Sequence, residues 1–286
     1  MLRGLYTAAA GMITQQHRHD TITNNISNLN TPGYKANEAV ARSFPDMLIK
    51  LTGTGGTPQQ TVGRVNSGVF AEESLQLQLQ GDLVQTNKSG DFAIVSDIEV
   101  PGVSFDESGR SVAPDGTVTF RPQAFFTVQN ADGETRYTRD GQFSLDDRGD
   151  LLATDGSRVL GTGGPIRLPA GVSLDQLTLT PDRRLVDSTT GADYGQLLIT
   201  RVDNPNALIR EGNGNFRLTG DPAGARPAAA AANVEVRQGY IERSNVDAAR
   251  SMVDLMAAQR AYEANQKVIQ FYDKSLDEAV NQVGKV

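Results

Sequence analysis

The chain has no cysteine in its 286 residues, which removes both a disulfide framework and a thiolate metal site. That absence fits an exported, a surface or an oxidation-indifferent protein without choosing among them. Histidine is scarce as well. The only two, His17 and His19, sit two apart on a predicted helix and point to different sides, a poor geometry for one metal ion. Positive charge is outnumbered, with 27 Lys and Arg against 34 Asp and Glu, a net charge of -7 and a pI near 5.0. Nucleic acid and anionic membrane are therefore excluded as main partners, because both require clustered Lys and Arg. No apolar run approaches the roughly 20 residues that cross a bilayer, so direct membrane insertion is not expected. The apolar residues 5–13 run straight into Thr14-Gln15-Gln16-His17-Arg18 without a cleavage site, and export, if it occurs, uses no cleaved signal peptide.

Signatures of catalysis are missing too. There is no nucleophile elbow and no zinc-protease helix, and scattered Asp and Glu pairs do not define a glycosidase site. Thr52-Gly53-Thr54-Gly55-Gly56-Thr57-Pro58 is loop material that lacks the Lys of a phosphate loop and the Gly spacing of a dinucleotide fold. Asp146, Asp147 and Asp150 lack the ligand spacing and Glu of a calcium loop and fit a solvated hairpin turn. The expectation is a protein with no catalytic residue, no cofactor and no metal.

What is present is concentrated at the two ends. From Ala248, every seventh residue is apolar: Leu255, Tyr262, Ile269, Leu276 and Val283. Such a repeat, without Gly or Pro until Gly284, predicts a long α-helix over residues 244–286 whose seam is meant for another helix. Ser244 followed by Asp247 reads as a capping box at its start, and Gly284 and Lys285 close it. At 1.5 Å per residue it would run roughly 60 Å. The companion positions Asn245, Met252, Gln259, Gln266, Asp273 and Val280 are mixed, and Val246, Ala249, Val253 and Met256 form a second apolar strip beside the seam. Burying six seam residues contributes on the order of 10 kcal/mol, whereas ordering about forty residues costs several times that. The helix therefore needs more than one contacting face.

Residues 1–29 read as a second long helix, with Leu2, Leu5, Ala9 and Met12 at seam spacing, Gln16, His19 and Thr23 interrupting it, and Ile26 resuming it. It should stop within Asn24-Asn25-Ile26-Ser27-Asn28-Leu29-Asn30-Thr31-Pro32-Gly33-Tyr34-Lys35, where Asn and Ser compete for backbone hydrogen bonds and Pro32-Gly33 signals a turn. Asn amides, which donate and accept, also suit a hydrogen-bond network between subunits. The simplest geometry pairs the two terminal helices and leaves apolar surface for neighbouring molecules.

Between the ends the period changes. A short helix closing at Phe44-Pro45 is expected after residue 36. Leu75, Leu77 and Leu79 then alternate with Gln76, Gln78 and Gln80 as a half-buried strand. Strands are expected over 92–95, 124–129, 135–138, 142–145, 151–154, 166–168, 177–180 and 195–202, separated by turns such as Asp132-Gly133, Asp140-Gly141, Arg148-Gly149 and Asp155-Gly156. After a Pro-bearing linker and five alanines, 228–232, Val234 and Val236 add one return strand. The fold class is α+β, with long N- and C-terminal helices paired as a coiled-coil-like domain and a central, mainly antiparallel β domain. The domains are a discontinuous helical assembly domain, 1–35 and 240–286, a connector, 36–68, the β domain, 69–220, and a linker with return strand, 221–239.

Three groups of motifs carry a resemblance. Gly4-Leu5-Tyr6-Thr7-Ala8-Ala9-Ala10-Gly11-Met12 with residues 24–35 form the first. Tyr137-Thr138-Arg139-Asp140-Gly141-Gln142-Phe143-Ser144-Leu145 with Gly149-Asp150-Leu151-Leu152 form the second. Gln238-Gly239-Tyr240-Ile241-Glu242-Arg243-Ser244-Asn245-Val246-Asp247 with Ala258-Gln259-Arg260-Ala261-Tyr262-Glu263 form the third. In this order they resemble the bacterial flagellar rod and hook family over nearly the whole chain. The resemblance implies a structural subunit that passes unfolded through the flagellar type III export apparatus and assembles as a helical homopolymer, in contact with other rod and hook subunits. It places the terminal helices in an inner tube and the β domain outside, in an axial shaft that carries torque. Length favours a rod over a hook protein, and Phe44-Pro45-Asp46-Met47-Leu48 looks most like a distal-rod subunit, with the proximal rod open. A secreted β-rich adhesin would share the acidic, cysteine-free β domain but has no need of helices at both ends. The assembly residues so implied are Leu5, Met12, Asn24, Asn25, Ile26, Asn28, Gly33 and Tyr34, and Ala248, Leu255, Tyr262, Ile269 and Leu276. Two departures stand out: an insert over 96–122, expected as an added hairpin, and Arg250-Ser251 where relatives carry an acidic pair.

Overall fold

The seven-residue repeat forms helix α2, Ala248–Glu278, which ends in a π-helical turn, Ala279–Val283. The structure is a computed structural model that describes residues 2–51, 60–106, 109–228 and 233–283. The cap of α2 is Asp247, whose carboxylate accepts the Arg250 N–H at 3.1 Å. Ser244, expected as the cap, instead precedes the helix and accepts the Val246 N–H at 3.4 Å. A carboxylate directly before the first turn reaches the third helical N–H and adds a favourable charge to the helix dipole, so the boundary moves to Asp247. At 31 residues α2 is about 46 Å long, and Gly284 and Lys285 lie outside the described residues. The amino-terminal repeat forms α1, Leu2–Ser27, which stops inside the Asn-rich stretch as expected.

The chain divides into two compact units, one of Met1–Ser27, Asn37–Leu75 and Asp247–Val286, the other of Asn28–Ala36 and Gln76–Val246. In the first, α1 and α2 are joined by strands where a short helix was expected before Pro45. Ala41–Ser43 pairs with Val69–Ala71, and Met47–Leu51 pairs with Gln60–Val65. Pro45 leaves too few residues for a helical nucleus, whereas each short strand finds a partner. Residues 67–74 run along α1. Thr7 donates to Ser67 C=O at 3.3 Å, and the Thr21 and Ser74 hydroxyls meet at 3.3 Å. Fourteen helical and seven extended residues both span about 21–23 Å, so the two run in step.

In the second unit the organising strand is Gln123–Gln129, paired with Thr135–Thr138 on one edge and with Ile199–Val202 and Arg158–Gly161 on the other. Its alternate side chains enter two cores. Phe126 and Val128 join Phe92, Ile94, Phe143, Leu151, Val159 and Leu197, while Phe125 joins Val202, Leu208 and Phe216. A strand buried on both faces reads as a continuous apolar run rather than an alternation.

The expected strand 195–202 is two, Asp193–Gln196 and Ile199–Val202. Leu197 N–H goes to Arg183 C=O and Leu198 N–H to Leu160 C=O, so the chain changes sheets between them. The expected strand 166–168 is replaced by Gly164–Pro165 and a single Asp150–Arg167 bridge. The return strand is present as Val234–Gln238, against Phe92–Ser96. The insert holds a hairpin, Arg110–Val112 with Val118–Phe120.

The leucine alternation after residue 74 has the reverse polarity of the expected one. Leu75 and Leu79 are exposed, while Gln78 is buried. Gln80 explains the inward glutamines: its amide donates to Ile94 C=O and accepts the Ser96 N–H, both at 3.2 Å, closing an otherwise open strand edge.

Candidate assembly surface

In the first unit the two helices run antiparallel in close contact. A Cβ on Gly4 would lie 2.1 Å from Tyr272 Oη, and one on Gly11 2.9 Å from Asn265 Nδ2. Arg18 donates to Asp254 at 3.0 Å one step further on. Missing side chains at Gly4 and Gly11 thus admit Tyr272 and Asn265. The stripe residues Ala248, Leu255, Tyr262, Ile269 and Leu276 are half-buried. Their companions on the inward side are Ser251, Ala258, Asn265 and Tyr272, whereas the expected companions Met252, Gln259, Gln266, Asp273 and Val280 are exposed. Small Ser251 and the fully buried Ala258 let the helices approach, which decides between the two possible companion lines. On α1 the most buried line runs through Ala8, Ile22 and Asn25, with Leu5, Met12 and Ile26 half-buried at its margin.

This pairing leaves large apolar side chains in solvent. On α2 these include Met252, Val253, Met256 and Phe271, the last 72% exposed, and on α1 Tyr6 and Ile13, seven residues apart. The second apolar strip is therefore uncovered at its centre. Beside it lies a notch of about 420 Å³ lined by Gln15, His19, Ala258, Gln259 and Tyr262. Scattered exposed apolar residues are ordinary, whereas Met252, Val253 and Met256 stand together within about one turn, with Phe271 about four turns further on beyond the exposed Arg260, Glu263 and Lys267.

The Asn-rich stretch is used within each unit. Asn25 donates to Asn37 C=O at 2.7 Å and accepts the Asn37 N–H at 2.9 Å. Asn28 accepts the Thr31 hydroxyl at 3.2 Å, and Asn24 lies at the surface. Tyr34 is buried in the second unit beneath Arg210, whose guanidinium sits 4.1 Å from the ring centroid and donates to Lys35 C=O at 2.8 Å. Gly33 adopts φ +66°, and any Cβ there would come within 2.6 Å of the Arg139 backbone.

That approach leads to a site that sequence reasoning missed. Lys35, Arg139 and Glu242, one from each motif group, form a buried cluster. Lys35 Nζ donates to Glu242 Oε1 and to Leu79 C=O, both at 2.6 Å. Gly81 N–H donates to the same carboxylate at 2.9 Å, and Arg139 Nε lies 3.6 Å from Glu242 Oε2. Arg139 also donates to Gln123 at 3.0 Å and to Ser96 at 3.2 Å. Burial pushes the Lys35 ammonium down to about 8, against the opposing pull of Glu242. Burial would raise the Glu242 carboxyl, but Arg139 and Lys35 together hold it below its ordinary value. The only sequence signal was a charged residue beside Tyr34, beside the Asp140-Gly141 turn and after Ile241.

The acidic turn at 146–150 is accounted for by its own bonds. Asp146 accepts the Arg148 and Asp150 N–H groups at 2.9 and 2.7 Å, and Asp150 accepts Arg167 Nε at 2.6 Å.

A β unit with closed cores and a helical unit with uncovered apolar side chains are the parts of a structural subunit built for a larger assembly. Comparison with known proteins agrees. Residues 5–35 match the family model for the flagella basal body rod protein, 122–184 that for the flagellar hook protein FlgE/F/G D1 domain, and 237–282 that for the flagellar basal body rod FlgEFG protein C-terminal. The chain is 36% identical to the flagellar hook-basal body complex protein FlhO of Bacillus subtilis, with 100% of both chains covered. It is 31% identical to the flagellar basal-body rod protein FlgG of Borreliella burgdorferi, with 98% of each covered. With FlgF of Mesorhizobium japonicum the identity is 28%, with 99% of each covered. The chain belongs to the flagellar basal-body rod protein family and is a structural rod protein. The D1 match begins at 122, where the insert ends. No described helix is long and apolar enough to cross a membrane.

Proposed function

We propose that the chain is a distal-type rod subunit, exported unfolded through the type III apparatus, that polymerises helically by packing α1 and α2 against the helices of neighbouring copies in a coiled-coil-like array. The carrying observation is the uncovered group Met252, Val253 and Met256, with Phe271 further along, beside a half-buried stripe. One α1 covers only part of α2, so the remainder of its apolar surface supports contacts with other copies. Residues Leu5, Met12 and Ile26 on α1 and Ala248, Leu255, Tyr262, Ile269 and Leu276 on α2 line the intramolecular contact and border the face offered to neighbours. The family membership supports assembly with other rod and hook subunits.

The test separates folding from assembly. Val253 is 61% exposed, so Val253→Asp with Met256→Asp should change the stability of the isolated subunit by less than about 0.5 kcal/mol per site. In a strain lacking the native gene, the double variant should be made at normal levels yet leave cells without filaments. Leu255→Asp and Ile269→Asp should also block assembly while the β unit stays folded. Normal swimming with the exposed-face double variant in place would rule out this use of α2.

A further inference from the structure

The β unit leaves one strand edge open. Asp97 N–H donates to Asn233 C=O at 3.1 Å and Gly239 N–H to Asp91 C=O at 2.7 Å, which fixes the alternation of the intervening ladder. Glu235 and Arg237 direct their backbone groups to Phe92–Ser96, and Val234 and Val236 turn theirs the other way. The far edge of Phe92–Ser96 is closed by Gln80. Among the described residues no backbone or side-chain group does the same for Val234 and Val236. They face a groove of about 1040 Å³ whose other wall includes Leu179 and Pro181. Gln238 stops one end of it, accepting the Leu179 N–H and donating to Leu177 C=O, both at 2.9 Å.

The inserted hairpin has the complementary defect. Ala113 N–H donates to Thr117 C=O and Arg121 N–H to Gly109 C=O, so Ser111 and Thr119 face each other and Val118 and Phe120 turn their backbone groups outward. The outer edge of its other strand is already occupied, because Arg110 N–H donates to the Asp106 carboxylate at 2.9 Å and Arg110 C=O accepts the Asp106 N–H at 2.8 Å. Val112 and Val118 stand opposite one another, both exposed. A two-stranded hairpin with an uncovered apolar pair is marginal in water.

The two open edges match in length, in spacing and in the apolar side chains that accompany the outward backbone groups. In the subunit itself the hairpin forms its own two-stranded sheet and pairs with neither wall of the groove. We infer that strand Val118–Phe120 of one copy adds antiparallel to the open edge of Val234–Gln238 in a second copy, a β interface between subunits made by the insert. Val118 and Phe120 then share a face with Val234 and Val236, and Thr119 shares the solvent face with Glu235 and Arg237. An unpaired edge is a standing invitation to aggregate, and here one copy's hairpin closes another's edge. The inference rests on the reading of the chain as a polymerising rod subunit.

Because the chain has no cysteine, introduced pairs report without background. Thr119→Cys combined with Glu235→Cys or with Arg237→Cys is expressed in the deletion strain, basal bodies are isolated and oxidised, and the chain is run on non-reducing gels. The expected result is a ladder of dimers and larger species that requires both cysteines. Incorporation into basal bodies without a ladder, or a cross-link that stays at monomer size, overturns the inference and leaves the rod reading intact. If a double variant fails to incorporate, single Val118→Cys is labelled with maleimide. Labelling about tenfold slower in basal bodies than in the free chain supports the interface, and equal rates overturn it. Absence of the wild-type chain from basal bodies is a separate outcome that removes the rod reading itself and the inference with it.

Discussion

Replacing Glu242 by Gln keeps the shape of the side chain while removing the one carboxylate between Lys35 and Arg139. All three side chains are at most 1% exposed, so solvent offers little screening. Breaking a buried ion pair from one side costs about 3–5 kcal/mol, because the remaining charge stays desolvated. Here two cations remain, and relief comes only if Lys35 releases its proton, which burial has already pushed to about 8 with Glu242 still present. Lys35→Met is the informative contrast. It leaves Arg139 facing Glu242, a balanced pair, and removes one of the two donors to Leu79 C=O, which keeps the Asn245 amide at 3.2 Å, a loss of about 0.5–1.5 kcal/mol, offset in part because no ammonium is buried. The expected order is therefore a larger loss for Glu242→Gln than for Lys35→Met. With no tryptophan in the chain, urea midpoints are best followed by circular dichroism, and comparable slopes allow the midpoints to be compared directly. A Lys35→Met loss equal to or above that of Glu242→Gln would refute the net-positive account of the cluster. The pH dependence gives a second reading. Lys35 lies below its ordinary 10.5 in the folded chain, so its contribution is complete above 10.5 and is lost as pH falls through about 8. The wild type should gain stability relative to Lys35→Met as pH rises across that window. Glu242 lies below its ordinary 4.5, so its contribution is present above 4.5 and disappears as pH falls through the lower folded value. Glu242→Gln should flatten that part of the acid limb.

Gly33→Ala should lose about 1–2 kcal/mol from its left-handed backbone and about 1–3 kcal/mol more from crowding Arg139, seen as a lower urea midpoint of the β signal. Gly11→Leu places a side chain where Asn265 sits and should cost about 1–3 kcal/mol, read as earlier melting of the helical signal. Arg18→Ala should be almost silent, because Arg18 and Asp254 are 44% and 37% exposed and such pairs contribute about 0–1 kcal/mol. A loss above that range would show that the contact bears more of the helix packing than its exposure implies.

The helices were legible because a strict seven-residue repeat sustained over tens of residues suits a helix and not a strand, whose faces alternate every second residue. The face they present was less so. The stripe from Ala248 to Leu276 has two possible companion lines, and the chosen one depends on Ser251 and Ala258 being small, a property that hydrophobicity does not rank. The leucines near residue 77 show the same limit in an extended stretch, of which only Leu75–Gln76 is a paired strand. Alternation reveals two faces, but Gln80 turns the glutamine side inward by capping the backbone of Ile94 and Ser96. Lys35, Arg139 and Glu242 were hidden for a different reason. Each is one charge in a polar turn or strand end, and only the fold brings together residues separated by a hundred positions.

The motifs that carry the family resemblance acquire a common physical purpose in that cluster. The chain leaves α1 through residues 28–36 and enters α2 after residue 246, and inside the β unit these two passages are bonded to each other. Gly33 N–H donates to Glu242 C=O at 2.8 Å, Asn245 N–H to Tyr34 C=O at 3.3 Å, and Ala36 N–H to the Asn245 side chain at 2.7 Å. Apolar residues of similar volume would hold the two passages with equal stability, but they would tolerate sliding by a residue or a rotated side chain. A carboxylate whose Oε1 accepts Lys35 and the Gly81 N–H while its Oε2 lies 3.6 Å from Arg139 Nε is held in one position by three separate groups. The cluster thereby sets the register between the passages leading to α1 and α2 at the cost of desolvating three charges, which is a gain in specificity and not in stability.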